Sequence, residues 1–327
     1  MSKLVTIFGG SGFVGRYVAR RMAKDGWRVR VAVRRPNEAM FVRTYGVVGQ
    51  VEPVFCNIRD DASVAEVLKG ADAAVNCVGV LSERGKNGFD AVQAEAPGRI
   101  ARACKDLGVA RLVHVSAIGA DAESDSDYAR TKAEGEAALL EHMPEAMILR
   151  PSIIFGPEDE FFNRFAGMAK ITPILPLVGA GTTFQPVYVD DVAQAAQLGA
   201  EGRAPGGIYE LGGPDTATFR AWMTRMLGVV RRRKLLLGLP FWVAHLMAMG
   251  LDAVQFVSFG LIHNGTLTRD QVRNLARDNV ADGSQPGFDA LGIAPVAAET
   301  VLPDYLWVYR PSGQYSEIKD SARNLRA

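Results

Sequence analysis

The stretch Val5-Thr-Ile-Phe-Gly-Gly-Ser-Gly-Phe-Val-Gly15 narrows the folds open to this chain more than any other. A short apolar run passes straight into a glycine turn. Val14, Val18, Met22 and Ala23 then recur at helical spacing over roughly Phe13 to Asp25. Strand, glycine turn and helix together open a dinucleotide-binding unit. Gly9 allows the turn, Gly12 lets backbone approach a pyrophosphate, and Gly15 lets the helix sit close to the strand. The pyrophosphate would rest on free N–H groups at the helix N-terminus, where the dipole favours negative charge. Ser11, Phe13 and Val14 therefore join the three glycines as candidate cofactor contacts. The spacing is G-x-x-G-x-x-G, not G-x-G-x-x-G, so the motif gains its weight from its place between strand and helix.

Strand and helix signals alternate through the first half. Trp27–Val33, Val51–Cys56, Ala73–Val78, Arg111–Ser116 and Met147–Arg150 read as further strands. Ala62–Lys69, Phe89–Leu107 (with Pro97 inside) and Tyr128–His142 read as helices. This alternation specifies an α/β fold, a Rossmann-like doubly wound parallel sheet covered on both faces. Beyond Pro151 the rhythm changes. Ile153–Pro157 and Pro173–Gly181 are loop-rich, Phe184–Val189 and Gly206–Gly213 read as strands, and Asp190–Leu198 as a helix with Asp190 as candidate cap. The expected division is a nucleotide-binding core, 1–155 plus 184–213, and a smaller C-terminal lobe, 156–183 plus 214–327.

Chemistry-bearing residues fall where the strands end. Arg34 and Arg35 follow the second strand, where an acid would hold the ribose hydroxyls of NAD. A guanidinium there suits a 2′-phosphate, so NADPH is the expected coenzyme; the plainer alternative leaves both arginines in water. Asn57 and Ile58 end the third strand, where an adenine edge would lie. Val78 and Gly79 end the fourth, where backbone would pass the ribose. Ser116 ends the fifth. Tyr128 and Lys132, four apart, share one helix face. An ammonium beside a phenol favours the phenolate and makes the tyrosine a competent proton donor to a carbonyl receiving hydride. The alternative reading keeps Lys132 for ribose hydroxyls and Tyr128 for packing, with the trio Ser116, Tyr128 and Lys132 a relic.

A chain of 327 residues suits a core plus a lobe, with 48% hydrophobic and 22% charged residues. A net charge of +1 argues against a nucleic-acid-binding surface. Cys56, Cys77 and Cys104 lack metal or disulfide spacing and read as buried thiols; the four histidines are scattered, and no metal site is expected. Between Lys234 and Arg269 the only formal charge is Asp252. Leu235–Leu251 falls just short of the roughly 20 apolar residues that span a bilayer, with Pro240, His245 and Gly250 interrupting. One or two packed helices, a segment lying on a membrane or partner, or a transmembrane helix are the readings; the preceding Arg231–Lys234 run favours an anionic surface.

Residues 1 to about 215 resemble the extended short-chain dehydrogenase/reductases. The matching pieces are the glycine motif, Asn76–Gly79, Ser116, Tyr128-x-x-x-Lys132 and Arg150-Pro-Ser-Ile-Ile-Phe-Gly-Pro157. The resemblance implies that the last segment, with Pro151 and Ile153, passes the nicotinamide. The short acidic stretch Ala117–Asp127 departs from the longer insertion usual in that family. Nearly the whole chain resembles the atypical branch formed by NADPH-binding accessory subunits of respiratory complex I, NADH:ubiquinone oxidoreductase. Tyr128–Glu136, Pro151–Phe161, Gln185–Val192, Leu267–Val272 and Ser316–Lys319 carry that likeness. It implies a tightly held, non-catalytic NADPH and contact with other complex I subunits at the junction of the peripheral and membrane arms, near the quinone site. The membrane surface could be met through 231–262. A first strand at residue 4 leaves little room for a presequence, so the expected location is peripheral, on the cytoplasmic face of a bacterial inner membrane. The competing expectation is a free-standing NADPH-dependent reductase or epimerase using the trio.

Overall fold

The computed structural model describes residues 2–80, 85, 88–244, 246 and 269–315. The chain divides into two units: Met1–Ser152 with Val189–Gly212 and Ala281–Pro295, and Ile153–Tyr188 with Gly213–Val280 and Val296–Ala327.

The first unit is built on a seven-stranded parallel sheet. Its strands are β1 (Leu4–Phe8), β2 (Arg28–Val33), β3 (Val51–Phe55), β4 (Ala73–Asn76), β5 (Arg111–Val115), β6 (Met147–Pro151) and β11 (Gly207–Leu211), in the order β11-β6-β5-β4-β1-β2-β3. The order reverses between β1 and β4, and such a switch point opens a crevice at the carboxyl ends of the strands. Alternation along the strands sorts the helices. Phe8, Ala74, Leu112 and Ile148 pack in one cluster with residues of α2 (Asp61–Leu68), α3 (Glu95–Leu107) and α4 (Asp127–His142). The neighbouring Val113 and Met147 instead meet Gly199 of α6 (Val189–Glu201), where an added Cβ would lie 2.5 Å from the Met147 sulfur. Helix α1 (Phe13–Lys24) packs against α6.

Several local readings are corrected. The expected helix Phe89–Leu107 opens as a π turn, Asp90–Ala94, before α3. Pro97 has no N–H for the carbonyl of Gln93 four residues back. That carbonyl instead lies against Gly135 of α4, where a Cβ would sit 1.9 Å from it. Asp190 is not a cap, because α6 already begins at Val189. Its carboxylate accepts two bonds from Arg21, Nε to Oδ1 at 2.8 Å and Nη2 to Oδ2 at 2.7 Å. Segment Ala281–Pro295 joins this unit because the Glu210 N–H donates to the Pro286 carbonyl and Phe288 is buried.

The second unit gathers around Phe155, Phe162, Leu175, Leu177, Trp222 and Leu302. These lie on or beside β7 (Ile154–Phe155), α5 (Phe162–Ile171), β8 (Ile174–Val178), α7 (Phe219–Val229) and α9 (Ala298–Leu306); α8 is Arg269–Asn274. Pro173–Gly181 therefore holds a strand rather than only loop. Leu175 and Leu177 alternate with exposed Ile174 and Pro176, a period of two that the prolines obscure. β8 pairs in parallel with β13 (Leu235–Leu239), so the apolar run starts as a strand, not a helix. Most of the rest of 231–262, residues 267–268 and the stretch 316–319 lie outside the described residues. The expected strand Phe184–Val189 is broken at Pro186 into β9 (Thr183–Phe184), antiparallel to β12 (Ala217–Thr218), and β10 (Val187–Tyr188), parallel to β7. Among the described residues no helix is long and apolar enough to cross a membrane.

Candidate functional site

The glycine turn is built at the switch point. Gly9 adopts φ +71°, a left-handed conformation that side chains disfavour, and its N–H donates to the Ala32 carbonyl at 3.0 Å. The Gly12 N–H returns to the Gly9 carbonyl at 2.9 Å. A Cβ on Gly15 would lie 2.4 Å from the Gly9 oxygen and 2.7 Å from the Gly10 Cα, so helix α1 can approach β1 only without one. A Cβ on Gly12 would meet only the Gly9 oxygen, at 3.1 Å. Gly12 is exposed and stands at the N-cap of α1, followed by Phe13 and Val14, with Ser11 half-buried before it. The Arg16 side chain closes the loop from the helix side, donating to the carbonyls of Gly12 and Ser11, both at 3.2 Å.

The other candidates extend from this cradle along the strand ends. Arg34 and Arg35 follow β2 and are both exposed. Arg35 pairs with Glu38 at 3.0 Å across open solvent, a contact worth little. Arg34 makes no hydrogen bond or ion pair among the described residues. Asn57, after β3, is anchored by its N–H to Ser63 Oγ and accepts on Oδ1 from the Arg59 N–H; Ile58 beside it is buried. Val78 lies against Gly9, its Cγ2 3.0 Å from where a Cβ would be.

At the ends of β4 and β5 the site's polar side chains are buried. Lys132 is 4% exposed. Its ammonium reaches the Val115 carbonyl at a long 3.4 Å and faces Gly79, whose Cβ would stand 3.5 Å away. Burial pulls its pKa down to about 8, opposed by the Glu136 carboxylate and Cys77. The same ammonium stands 5.9 Å from the Tyr128 ring centre, and Phe89 meets that ring edge-on. Ser116 is held by its N–H to the Leu149 carbonyl at 2.7 Å, while its buried Oγ has no partner among the described residues. The short acidic stretch folds back on α4: Asp121 N–H donates to the Ala129 carbonyl, and Ser126 caps the helix. The Pro151 carbonyl accepts from the Ile118 N–H, whereas Ile153 belongs to the second unit and is held there by Asn279 Oδ1. A glycine cradle, an orphaned buried hydroxyl and a buried ammonium with one long bond all fit a dinucleotide. When bound, it would supply hydride-transfer capacity at its nicotinamide ring. Among the described residues no group of His, Cys, Asp and Glu could hold a metal ion.

Two polar sets behind the site escaped the strand-end reading. Asn76 accepts from the Val78 N–H at 3.1 Å and hydrogen-bonds His114 Nδ1 at 3.1 Å. The amide can only donate to that nitrogen, which places the imidazole proton on Nε2. Burial, then the Lys132 charge, push the His114 pKa down to about 3. The unfolded chain therefore takes up a proton near pH 6.5 that the folded chain refuses until about pH 3. Stability is expected to fall as the pH drops through that window, by up to about 1.4 kcal/mol per pH unit from this group. Urea melts of wild type and His114→Gln should differ by one proton in their acid dependence. Equal slopes would contradict this. The second set is Glu136 of α4, which accepts from Arg150 of β6 through Oε1 at 3.0 Å and Oε2 at 2.6 Å, with Glu210 at 3.9 Å. Its signal in the sequence is spacing: Tyr128, Lys132 and Glu136 run down one helix face.

Residues 5–212 match the NAD dependent epimerase/dehydratase family. The mitochondrial NADH dehydrogenase [ubiquinone] 1 alpha subcomplex subunit 9 of Arabidopsis thaliana is 34% identical over 95% of this chain and 79% of its own length. A ceramide reductase of Caulobacter vibrioides is 34% identical over 64% of each chain. Among solved structures, the Thermus thermophilus UDP-glucose 4-epimerase, determined with NAD, superposes with a TM-score of 0.66 at 17% identity, over 94% of this chain and 99% of that one. At that identity the likeness carries the fold alone. The chain belongs to the NAD dependent epimerase/dehydratase family, as an atypical short-chain dehydrogenase/reductase similar to the alpha subcomplex subunit 9 proteins of NADH dehydrogenase.

Proposed function

We propose that this chain is a non-catalytic, NADPH-binding accessory subunit of respiratory complex I. The observation that carries the reading is identity of 34% with the Arabidopsis subunit across 95% of the chain, through both units. The glycine cradle, Gly79 with Lys132, and the strand-end residues Asn57, Ile58, Val78 and Pro151 hold the dinucleotide. Arg34, which has no other partner among the described residues, takes the 2′-phosphate with Arg35. A ligand bound only by the folded chain stabilises it by mass action, which is the nucleotide's role here. The second unit, with 231–262, docks at the junction of the arms near the quinone site, peripheral on the cytoplasmic face of a bacterial inner membrane. Purified respiratory membranes test this: the chain should co-migrate with NADH dehydrogenase activity on native gels. A chain found only in the soluble fraction would contradict it.

The Caulobacter relative favours a second reading, a free-standing reductase. It is supported by the Ser116 hydroxyl, unpartnered among the described residues, and by Lys132 standing 5.9 Å from the Tyr128 ring centre. On that reading Tyr128→Phe abolishes turnover of a carbonyl substrate and leaves NADPH bound. A purified chain whose NADPH resists oxidation across a broad carbonyl panel removes this alternative.

A further inference from the structure

Charge along this nearly neutral chain is segregated. Residues 11–50 contain nine Lys or Arg against two Asp or Glu, in a chain with 37 and 36 overall. Four of the nine, Arg20, Lys24, Arg28 and Arg43, lie close in sequence or contact to one loop of the first unit. Gly46–Gln50 leads from the short 3-10 helix Pro36–Tyr45 into edge strand β3. At its apex Val47 is 74% exposed and Val48 is fully exposed. Two adjacent valines held in water cost free energy unless something covers them.

The tip is clamped outward rather than left free to collapse. Gln50 accepts from the Val47 N–H at 2.9 Å, and its amide donates to the carbonyls of Ala23, at the end of α1, and Trp27, just before β2. The Gln50 N–H closes the loop on the Val47 carbonyl at 3.0 Å. The clamp also fixes the neighbours. Lys24 and Arg28, both exposed, adjoin the two residues it binds. Arg20 lies over the Tyr45 ring at 4.9 Å, and Arg16 over the half-exposed Phe41 ring at 5.3 Å. Met40 is exposed next to Phe41, and Arg43 next to buried Val42. The acids on these segments are Asp25 and Glu38, and Glu38 is paired to Arg35.

We infer that this face is a second docking surface, on the nucleotide-binding unit itself, and that its occupant is an anionic lipid surface. A stable protein interface needs about 800 Å² per partner around a desolvated apolar centre. Here the apolar part is narrow and projecting, two aliphatic side chains at a loop apex with Met40 and Phe41 behind. Exposed Lys24, Arg28 and Arg43, with Arg20 over the Tyr45 ring, stand on the segments that flank it. A bilayer suits that shape: the valines enter below the headgroups, the aromatic rings lie at headgroup level, and the cations meet lipid phosphates. Each basic residue near such a surface adds to the attraction, which fades within a Debye length. This surface lies on the first unit and does not require the complex I assignment.

The test is co-sedimentation of the full chain with vesicles of phosphatidylcholine, with and without phosphatidylglycerol. Wild type should bind the anionic vesicles, release with rising salt, and bind the neutral ones at least tenfold more weakly. Val47→Asp/Val48→Asp should lose at least tenfold in binding, with an unchanged thermal midpoint because both positions are in water. Val47→Ser/Val48→Ser, which adds no charge, should lose part of it. Arg20→Gln/Arg43→Gln should weaken binding to anionic vesicles alone. The inference is overturned if wild type fails to bind anionic vesicles. It is equally overturned if the aspartate variant binds as wild type does while neutralising Arg231–Lys234 abolishes binding. Loss of a protein partner from the aspartate variant, with no vesicle binding by wild type, would assign the face to a protein instead.

Discussion

Gly15→Ala is expected to abolish nucleotide retention. The new methyl carbon would stand 2.4 Å from the Gly9 oxygen and 2.7 Å from the Gly10 Cα. Both are backbone atoms, so no rotamer change relieves the contact. Helix α1 must move off the turn, and the N–H groups meant for a pyrophosphate leave with it. The protein loses two things together: roughly 1–3 kcal/mol to overpacking, and the stabilisation a bound ligand gives, about 4 kcal/mol at a thousandfold excess over Kd. A fall in thermal midpoint on the order of 10 °C follows. Gly12→Ala sets the scale for comparison. Its methyl would meet a single oxygen at 3.1 Å, so it should weaken retention without unseating the helix. Nucleotide released by denaturation, measured beside thermal melts, distinguishes the two. Full nucleotide occupancy in Gly15→Ala would show that the turn is not the cradle.

Glu136→Leu carries the second large effect. Glu136 and Arg150 are a paired carboxylate and guanidinium with side chains 4% and 18% exposed. The pair holds the Arg150 pKa above its ordinary value, through the hydrogen bond first and despite burial. Removing the acid leaves the guanidinium between α4 and β6 with the more distant Glu210 carboxylate at 3.9 Å, and takes away a charge that supports the ammonium of Lys132. Breaking such a pair costs about 3–5 kcal/mol, while replacing both partners by apolar groups is often close to neutral. Urea unfolding should therefore show Glu136→Leu far less stable than wild type, and Glu136→Leu/Arg150→Met largely recovered. A loss below about 1 kcal/mol in the single variant would mean that solvent screens the pair more than its burial implies.

The first unit was readable in the sequence because its signals are local. A glycine turn at fixed spacing, apolar strand runs, and helices of the right length each declare themselves within a dozen residues. The glycine cradle, Lys132 and Ser116 were legible for the same reason: each stands at a strand end or at helical spacing. What escaped depends on distant partners. The π turn at Asp90–Ala94 follows from Pro97 and from Gly135 of another helix. Asp190 looks like a helix cap until Arg21, 169 residues away, is seen to occupy it. The strand Ile174–Val178 hides behind two prolines and declares itself only through its partner Leu235–Leu239. Asn76 and His114 are unremarkable apart and become a pair only because β4 and β5 place them in register. The choice between Arg34 as a phosphate ligand and Arg34 as a solvated side chain is likewise a matter of what binds beside it.

On the proposed function, this fold encloses a phosphorylated dinucleotide as part of a larger respiratory assembly. Its most direct test is to isolate the complex containing this chain from native membranes and release the nucleotide by acid and, separately, by base. Mass and absorbance then identify it. The account predicts NADPH in amounts equimolar with the chain, in a complex that carries NADH dehydrogenase activity. Release of NAD(H), or of no nucleotide at all, would contradict it.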